Sequence, residues 1–216
     1  MGRPRAFDEA AVLQKALDCF WARGYEASSL DDLCCAMGIS RSSFYQCFGN
    51  KHDLMLATLE RYGDVTLDRI AGAFADGPGF RQSLAAFLEL SIAGAGDTAG
   101  HGCYLGNCAA ELAAIDSQAA RQLERTFTRI AEALAEQVRI AQARGEIDRA
   151  RDPVALARLL MAGMQGLRLV AKTHPDRAVL DDIRDGLLQA VGQPPPRRSR
   201  TPVPAGDPQG ETGSWS

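Results

Sequence analysis

Apolar residues recur at three- and four-residue intervals as far as residue 192, and nowhere do they alternate as a half-buried strand requires. A chain with that period buries its apolar stripes against other helices, so the fold class is all-α. From Asp8 to Arg23, the residues Val12, Leu13, Ala16, Leu17, Phe20 and Trp21 define one helical face, and Gly24 supplies a stop. Ser29 caps a short helix over Leu30 to Met37, with Asp31 and Asp32 in its first turn, and Gly38 ends it. Ser40 caps a second short helix from about Arg41 to Phe48. After Gly49, Asn50 caps a longer helix with Asp53 at its third position. Long helices rich in Ala and Leu follow. One starts at Pro78, a short one covers about Tyr104 to Ala114, and a long one runs around Leu123 to Val138. The last two, about Pro153 to Lys172 and Arg177 to Val191, are apolar on more than one face, which suits a four-helix dimer interface.

Composition excludes several classes of protein. With 216 residues, 46% of them hydrophobic, the chain can build one or two domains around a sizeable core. The most apolar stretch, Val154 to Ala171, contains Arg158, Gln165 and Arg168, so no membrane span is expected. The N-terminus has no apolar run of the secretory kind, and a cytoplasmic location follows. Cys19, Cys34, Cys35, Cys47, Cys103 and Cys108 show no paired or Cys/His spacing, so they read as reduced thiols and not as a metal site. Three scattered histidines (His52, His101, His174) and no Gly-rich phosphate loop leave no catalytic constellation and no cofactor. From Gln193 onward, proline and arginine replace anything that could be buried, and residues 193–216 read as a disordered tail.

Function is carried by the two short helices joined across Gly38-Ile39-Ser40. A helix-turn-helix needs a turn residue tolerant of positive φ, an apolar plug, and a short second helix with small polar groups for the major groove. Gly38, Ile39 and the set Arg41, Ser42, Ser43, Tyr45 and Gln46 meet these demands, while Phe44 and Phe48 face inward. Arg41, Ser42, Ser43 and Gln46 are candidates for base edges, and Tyr45 and Ser29 for the phosphate backbone. Lys51 opens its helix where the macrodipole disfavours a cation, and a DNA phosphate there would resolve the conflict. Arg3 and Arg5, in an N-terminal arm, fit the minor groove. The net charge of −3 argues against a nucleic-acid partner only until it is resolved locally. Residues 1–7 and 38–51 each carry +2, leaving −7 on the rest.

The run from Gly24 to Leu33, and then from Met37 through Gly38-Ile39-Ser40-Arg41-Ser42-Ser43-Phe44-Tyr45-Gln46-Cys47-Phe48-Gly49-Asn50-Lys51 to Leu54, closely resembles the DNA-binding domain of the TetR family. Cys47 departs from the pattern, where an aromatic residue or histidine is usual. The resemblance implies a homodimeric repressor that binds a double-stranded DNA operator and is released by a small-molecule effector. It divides the chain into a DNA-binding domain at 1–51, an effector-binding and dimerisation domain at 52–192, and the tail. The run Gly102-Cys103-Tyr104-Leu105-Gly106-Asn107-Cys108 also resembles a Gly-Cys helix start in a TetR subgroup that includes electrophile-responsive repressors. That likeness implies a sensing thiol at Cys103, with buried packing as the competing reading and Cys108 as a possible resolving thiol. For a non-covalent effector, Phe87, Tyr104, Met161, Met164 and Gln165 combine apolar bulk with a few polar groups. The alternatives are a helical interaction protein without DNA binding and a thiol-dependent redox enzyme using Cys103 and Cys108.

Overall fold

The structure, a computed structural model, describes residues 8–75, 77–93, 101–173 and 176–192. Within them the elements run α1 (Glu9–Arg23), α2 (Leu30–Met37), α3 (Arg41–Phe48), α4 (Lys51–Ala75), α5 (Phe80–Ala93), α6 (Tyr104–Leu112), α7 (Ser117–Ala143), α8 (Pro153–Ala171) and α9 (Arg177–Val191). No strand occurs among the described residues. Arg3, Arg5 and residues 193–216 lie outside them.

Each of the first helices starts and stops for a visible reason. Asp8 accepts the amides of Ala10 and Ala11 at the head of α1. Ser29 and Asp32 form a reciprocal capping box on α2. Gly38 closes α2 in the left-handed region at φ 69°, ψ 32°, and the Ile39 amide returns to the Cys34 carbonyl at 3.1 Å. Ser40 then caps α3 through the Ser43 amide. Asn50 accepts the Asp53 amide at 2.9 Å and donates to its carboxylate at 2.7 Å, which fixes the start of α4. Phe20, Leu33, Met37, Phe44 and Leu54, all buried, close α1 to α4 into one small core.

α4 continues unbroken for 25 residues out of that core and into the larger one, so the two halves of the molecule share a helix. It packs along α7, and α7 in turn along α8; α5, α6 and α9 fill the flanks. α8 is long and apolar enough to cross a bilayer by length and composition alone, yet it packs against α5, α7 and α9. Leu159 and Leu169 project from α8, 49% and 64% exposed, and Val179 from α9 is 43% exposed. These side chains leave an exposed apolar face on the last two helices.

Two helices differ from the sequence expectation at their ends. The helix expected from Pro78 starts at Phe80, because the Phe80 amide is taken by the Glu146 carboxylate and the Gly79 carbonyl accepts the Ser83 amide. The helix expected to reach Ala114 stops at Leu112, whose carbonyl accepts the amides of both Ile115 and Asp116 and turns the chain into α7.

Gly38 sits at positive φ with open space around its Cα, so a side chain there meets backbone strain and no clash. Gly38→Val is expected to lose about 1–2 kcal/mol of stability in urea unfolding, and Gly38→Asn distinctly less. An equal loss in both would remove the left-handed turn as the cause.

Candidate nucleic-acid interface and the chamber behind it

α3 turns its polar side to solvent because Phe44 is fully buried and Phe48 partly so, their ring centroids 6.0 Å apart. Arg41, Ser42, Tyr45 and Gln46 are exposed as a result, and Ser43 is half-buried. The Tyr45 ring packs edge-on against Phe44 at 5.6 Å yet remains 55% exposed, so it is braced at its base and available beyond. The Ser43 hydroxyl lies 3.0 Å from that of Ser40, inside the cap of α3. Ser29 is similarly occupied: its hydroxyl accepts the Asp32 amide at 3.1 Å and donates to the Asp32 carboxylate at 2.6 Å. Arg41 makes a fork to Asp31 on α2, Nε to Oδ1 at 2.9 Å and Nη2 to Oδ2 at 2.7 Å.

Lys51 is the first residue of α4, and its cation already has local company. Its Nζ stands 4.3 Å from the centroid of the Tyr25 ring and 3.5 Å from the Glu26 carbonyl. Tyr25 therefore meets part of the cation–dipole conflict that the sequence assigned to an external phosphate alone.

Behind this face lies a polar chamber where α4, α5, α6 and α8 meet. Cys103 is the N-cap residue of α6, buried, with no side-chain bond to the helix start. Its Sγ is 3.8 Å from the Tyr62 hydroxyl. Arg168 donates to that hydroxyl at 2.8 Å and to Ser91 Oγ at 3.3 Å. Burial pushes the Tyr62 phenol well above its usual range, with Cys103 adding to the effect, so Tyr62 remains a neutral hydroxyl. A cavity of about 350 Å³ opens beside Cys103, lined by Asn107, Gln165, Leu169 and Lys172 among others.

The candidate effector residues do not share one pocket. Cys103 and Gln165 line this cavity, while Met161 and Gln165 line a groove of about 840 Å³ between α7 and α8. Phe87 and Met164 are core residues. Tyr104 is buried with its hydroxyl 2.7 Å from that of Thr58. Cys108 faces a separate hollow between α1 and α6 with Phe20 and Trp21. Burial pushes the Cys108 thiol up to about 12, which favours its protonated form.

The residue that joins chamber to interface was not apparent in the sequence. Glu111, at the far end of α6, accepts the amides of Tyr25 at 3.0 Å and Glu26 at 2.8 Å in the turn between α1 and α2. Trp21 Nε1 donates to the His101 carbonyl at 3.3 Å beside the start of α6. His52 on α4 lies 2.6 Å from Asp116, the N-cap of α7. The amides of Ala119 and Gln118, together with His52, hold the Asp116 carboxyl below the usual aspartate value.

The chain is similar to known proteins in sequence and in fold. The family model for bacterial regulatory proteins of the tetR family matches residues 12–58, and that for a tetracyclin repressor-like C-terminal domain matches residues 81–187. The HTH-type transcriptional repressor ComR of Escherichia coli is 32% identical over 79% of this chain and 82% of its own. The HTH-type regulator YezE of Bacillus subtilis is 31% identical over 88% of this chain and 100% of its own. Among solved structures, a cysteine mutant of the TetR family regulator CifR, in complex with 26-bp double-strand operator DNA, is 32% identical with a TM-score of 0.69, covering 87% of this chain and 99% of that one. Reduced NemR of Escherichia coli shares the fold at a TM-score of 0.75 and 17% identity, over 85% and 97% of the two chains.

Two outcomes follow for the contacts between the halves. Glu111→Ala frees two amides and should speed hydrogen exchange at Tyr25 and Glu26 while lowering stability by about 1–2 kcal/mol; unchanged exchange there would show that the turn is held by other means. A carboxyl held below its unfolded value of 3.8 stabilises the fold fully above that pH, and the contribution disappears as the pH falls through the folded value. Melting temperatures across that acid range should therefore fall less steeply in Asp116→Asn than in the parent.

Proposed function

The chain belongs to the TetR family of bacterial regulatory proteins and is a DNA-binding transcriptional regulator; from that premise we propose that it is a cytoplasmic, homodimeric repressor whose hold on a palindromic operator is released by an effector acting through α6. The observation that carries this reading is the span of one short helix. Cys103 and its chamber lie at the N-terminus of α6, and Glu111, eight residues on, holds the α1–α2 turn of the DNA-binding half. At the helical rise those positions are roughly 12 Å apart, so a displacement of α6 at one end would be felt at the other.

The reading half then works by spacing. Two recognition helices of a dimer must enter successive major grooves about 34 Å apart, so an effector that alters their separation weakens binding without touching a DNA contact. Arg41, Ser42, Ser43 and Gln46 are assigned to base edges, with Tyr45, Ser29 and Lys51 assigned to the phosphate backbone and Arg3 and Arg5 to the minor groove. Cys108 is buried and its thiol pushed upward by that burial, which supports a regulator acting through Cys103 or a ligand beside it over a two-thiol redox cycle.

A gel-shift titration against the DNA flanking the protein's own gene tests the proposal, and no shift even at low salt would overturn it. Lys51→Ala should weaken binding to all sequences and reduce the salt slope by about one phosphate unit, whereas Gln46→Ala should change which sequences are preferred. If covalent sensing operates, an electrophile such as N-ethylmaleimide releases the operator from the parent protein and not from Cys103→Ser; release from both assigns the effect to another thiol.

A further inference from the structure

The turn between α1 and α2 places its backbone polar groups one by one, and the last of them reaches Lys51. The Gly24 amide donates to the Phe20 carbonyl at 2.7 Å, and the Gly24 carbonyl accepts the Ser28 hydroxyl at 2.7 Å. The Tyr25 carbonyl accepts the Ser28 amide at 3.3 Å. The amides of Tyr25 and Glu26 go to the two carboxylate oxygens of Glu111. Gly24 lets that carboxylate come close, since a Cβ there, at φ 87°, would stand 3.2 Å from Glu111 Oε2. The Glu26 carbonyl remains, and it accepts from Lys51 Nζ at 3.5 Å. The same ammonium stands 4.3 Å from the centroid of the Tyr25 ring, which is backed in turn by the buried Phe20 at 5.9 Å. Lys51 therefore rests on the same two residues that Glu111 holds.

We propose that Tyr25 is a positioning residue for DNA binding: its ring holds the Lys51 ammonium in place for an operator phosphate, and Glu111 governs that hold from the far end of α6. The proposal rests on the assignment of Lys51 to the phosphate backbone. To the spacing of the recognition helices it adds a second route by which α6 reaches the DNA. A free lysine samples many rotamers and loses that freedom on docking. The ring face and one carbonyl restrict it beforehand, and an ammonium with three donors keeps others for a phosphate. A ring attracts the cation without cancelling its charge, as a carboxylate in the same place would, so the full charge stays available to the DNA. A shift of α6 that draws Glu111 away would free the amides of Tyr25 and Glu26, and loosen the seat of Lys51 with them.

Fluorescence anisotropy of the full-length protein on a duplex from the DNA flanking its own gene, at several salt concentrations, tests this. Tyr25→Phe keeps the ring face and is expected to bind as the parent does. Tyr25→Leu should bind about two- to fivefold more weakly per protomer, the size of an exposed cation–π contact, with the salt slope reduced by up to about one phosphate unit per protomer. Glu111→Ala should reduce the slope in the same way. In a Lys51→Ala background, Tyr25→Leu should cost nothing further. The slope responds to lost phosphate contacts and not to a general loss of stability, which separates positioning from folding. A second readout needs no DNA. The Tyr25 ring current should shift the Lys51 Cε protons upfield in the parent and in Tyr25→Phe, less in Glu111→Ala, and not in Tyr25→Leu. Provided Lys51→Ala itself binds weakly, three results would each overturn the proposal: parent-like binding and slope in Tyr25→Leu or Glu111→Ala, tighter binding in Tyr25→Leu, or a further full loss on the Lys51→Ala background. Parent-like binding by Lys51→Ala would instead remove the phosphate assignment of Lys51, and the proposal with it.

Discussion

Two backbone amides in the turn between α1 and α2 find their acceptor on another part of the molecule, at the carboxylate of Glu111. A turn connecting two helices ordinarily gives its free amides to water or to a side chain a few residues away. Here they are given to the far end of α6, more than eighty residues on. That pair of bonds ties the helix-turn-helix to the effector half, together with the Trp21 contact to the His101 carbonyl and the His52–Asp116 pair. All three contacts attach to the segment from His101 to Asp116, so the DNA-binding half is fastened to α6 and its flanks as well as being continuous with α4.

A nine-residue helix has little intrinsic stability, and its position is set by what it touches. The core of α6 is held by Tyr104, whose buried hydroxyl meets Thr58 of α4, and by Leu105 and Leu112. Its N-terminus carries no side-chain cap. Coupling energies of the usual allosteric size, about 1–3 kcal/mol, are comparable to one charge-assisted hydrogen bond. On the proposed mechanism, rearranging a single polar contact near Cys103 would be enough to bias the position of Glu111, whereas the extensively packed pair α4 and α7 would resist a change of that size.

What the sequence made legible is local, and what it hid is long-range. The capping box at Ser29 and Asp32, the left-handed Gly38 and the Ser40 cap each involve residues within about four positions, so periodicity and turn chemistry were sufficient to place α2 and α3. The chamber is different. Arg168 meets Tyr62 across 106 positions and Ser91 across 77, and no local pattern encodes such a meeting. Arg168 did leave a trace, as a charge inside an otherwise apolar run, but on the sequence alone it served only to exclude a membrane span. The grouping of Phe87, Met161, Met164 and Gln165 into one pocket relied on residue type, and helix rotation divides them between core, groove and cavity.

If Arg41 reads a base as proposed, its fork to Asp31 gives an acidic residue a part in recognition on a chain whose net charge is negative. Both side chains are exposed, so the pair contributes little to stability. Its effect is on shape. Nε and Nη2 are held by Asp31, which fixes the guanidinium plane at the start of α3. An unrestrained arginine loses rotamer freedom when it docks, and one already restrained by a carboxylate loses less. Asp31 also places a negative charge beside Arg41, which disfavours an approaching phosphate and favours the acceptor edge of a base. The same acidic residue thus starts α2 in keeping with the helix dipole and, on the proposed assignment, would direct Arg41 toward a base edge.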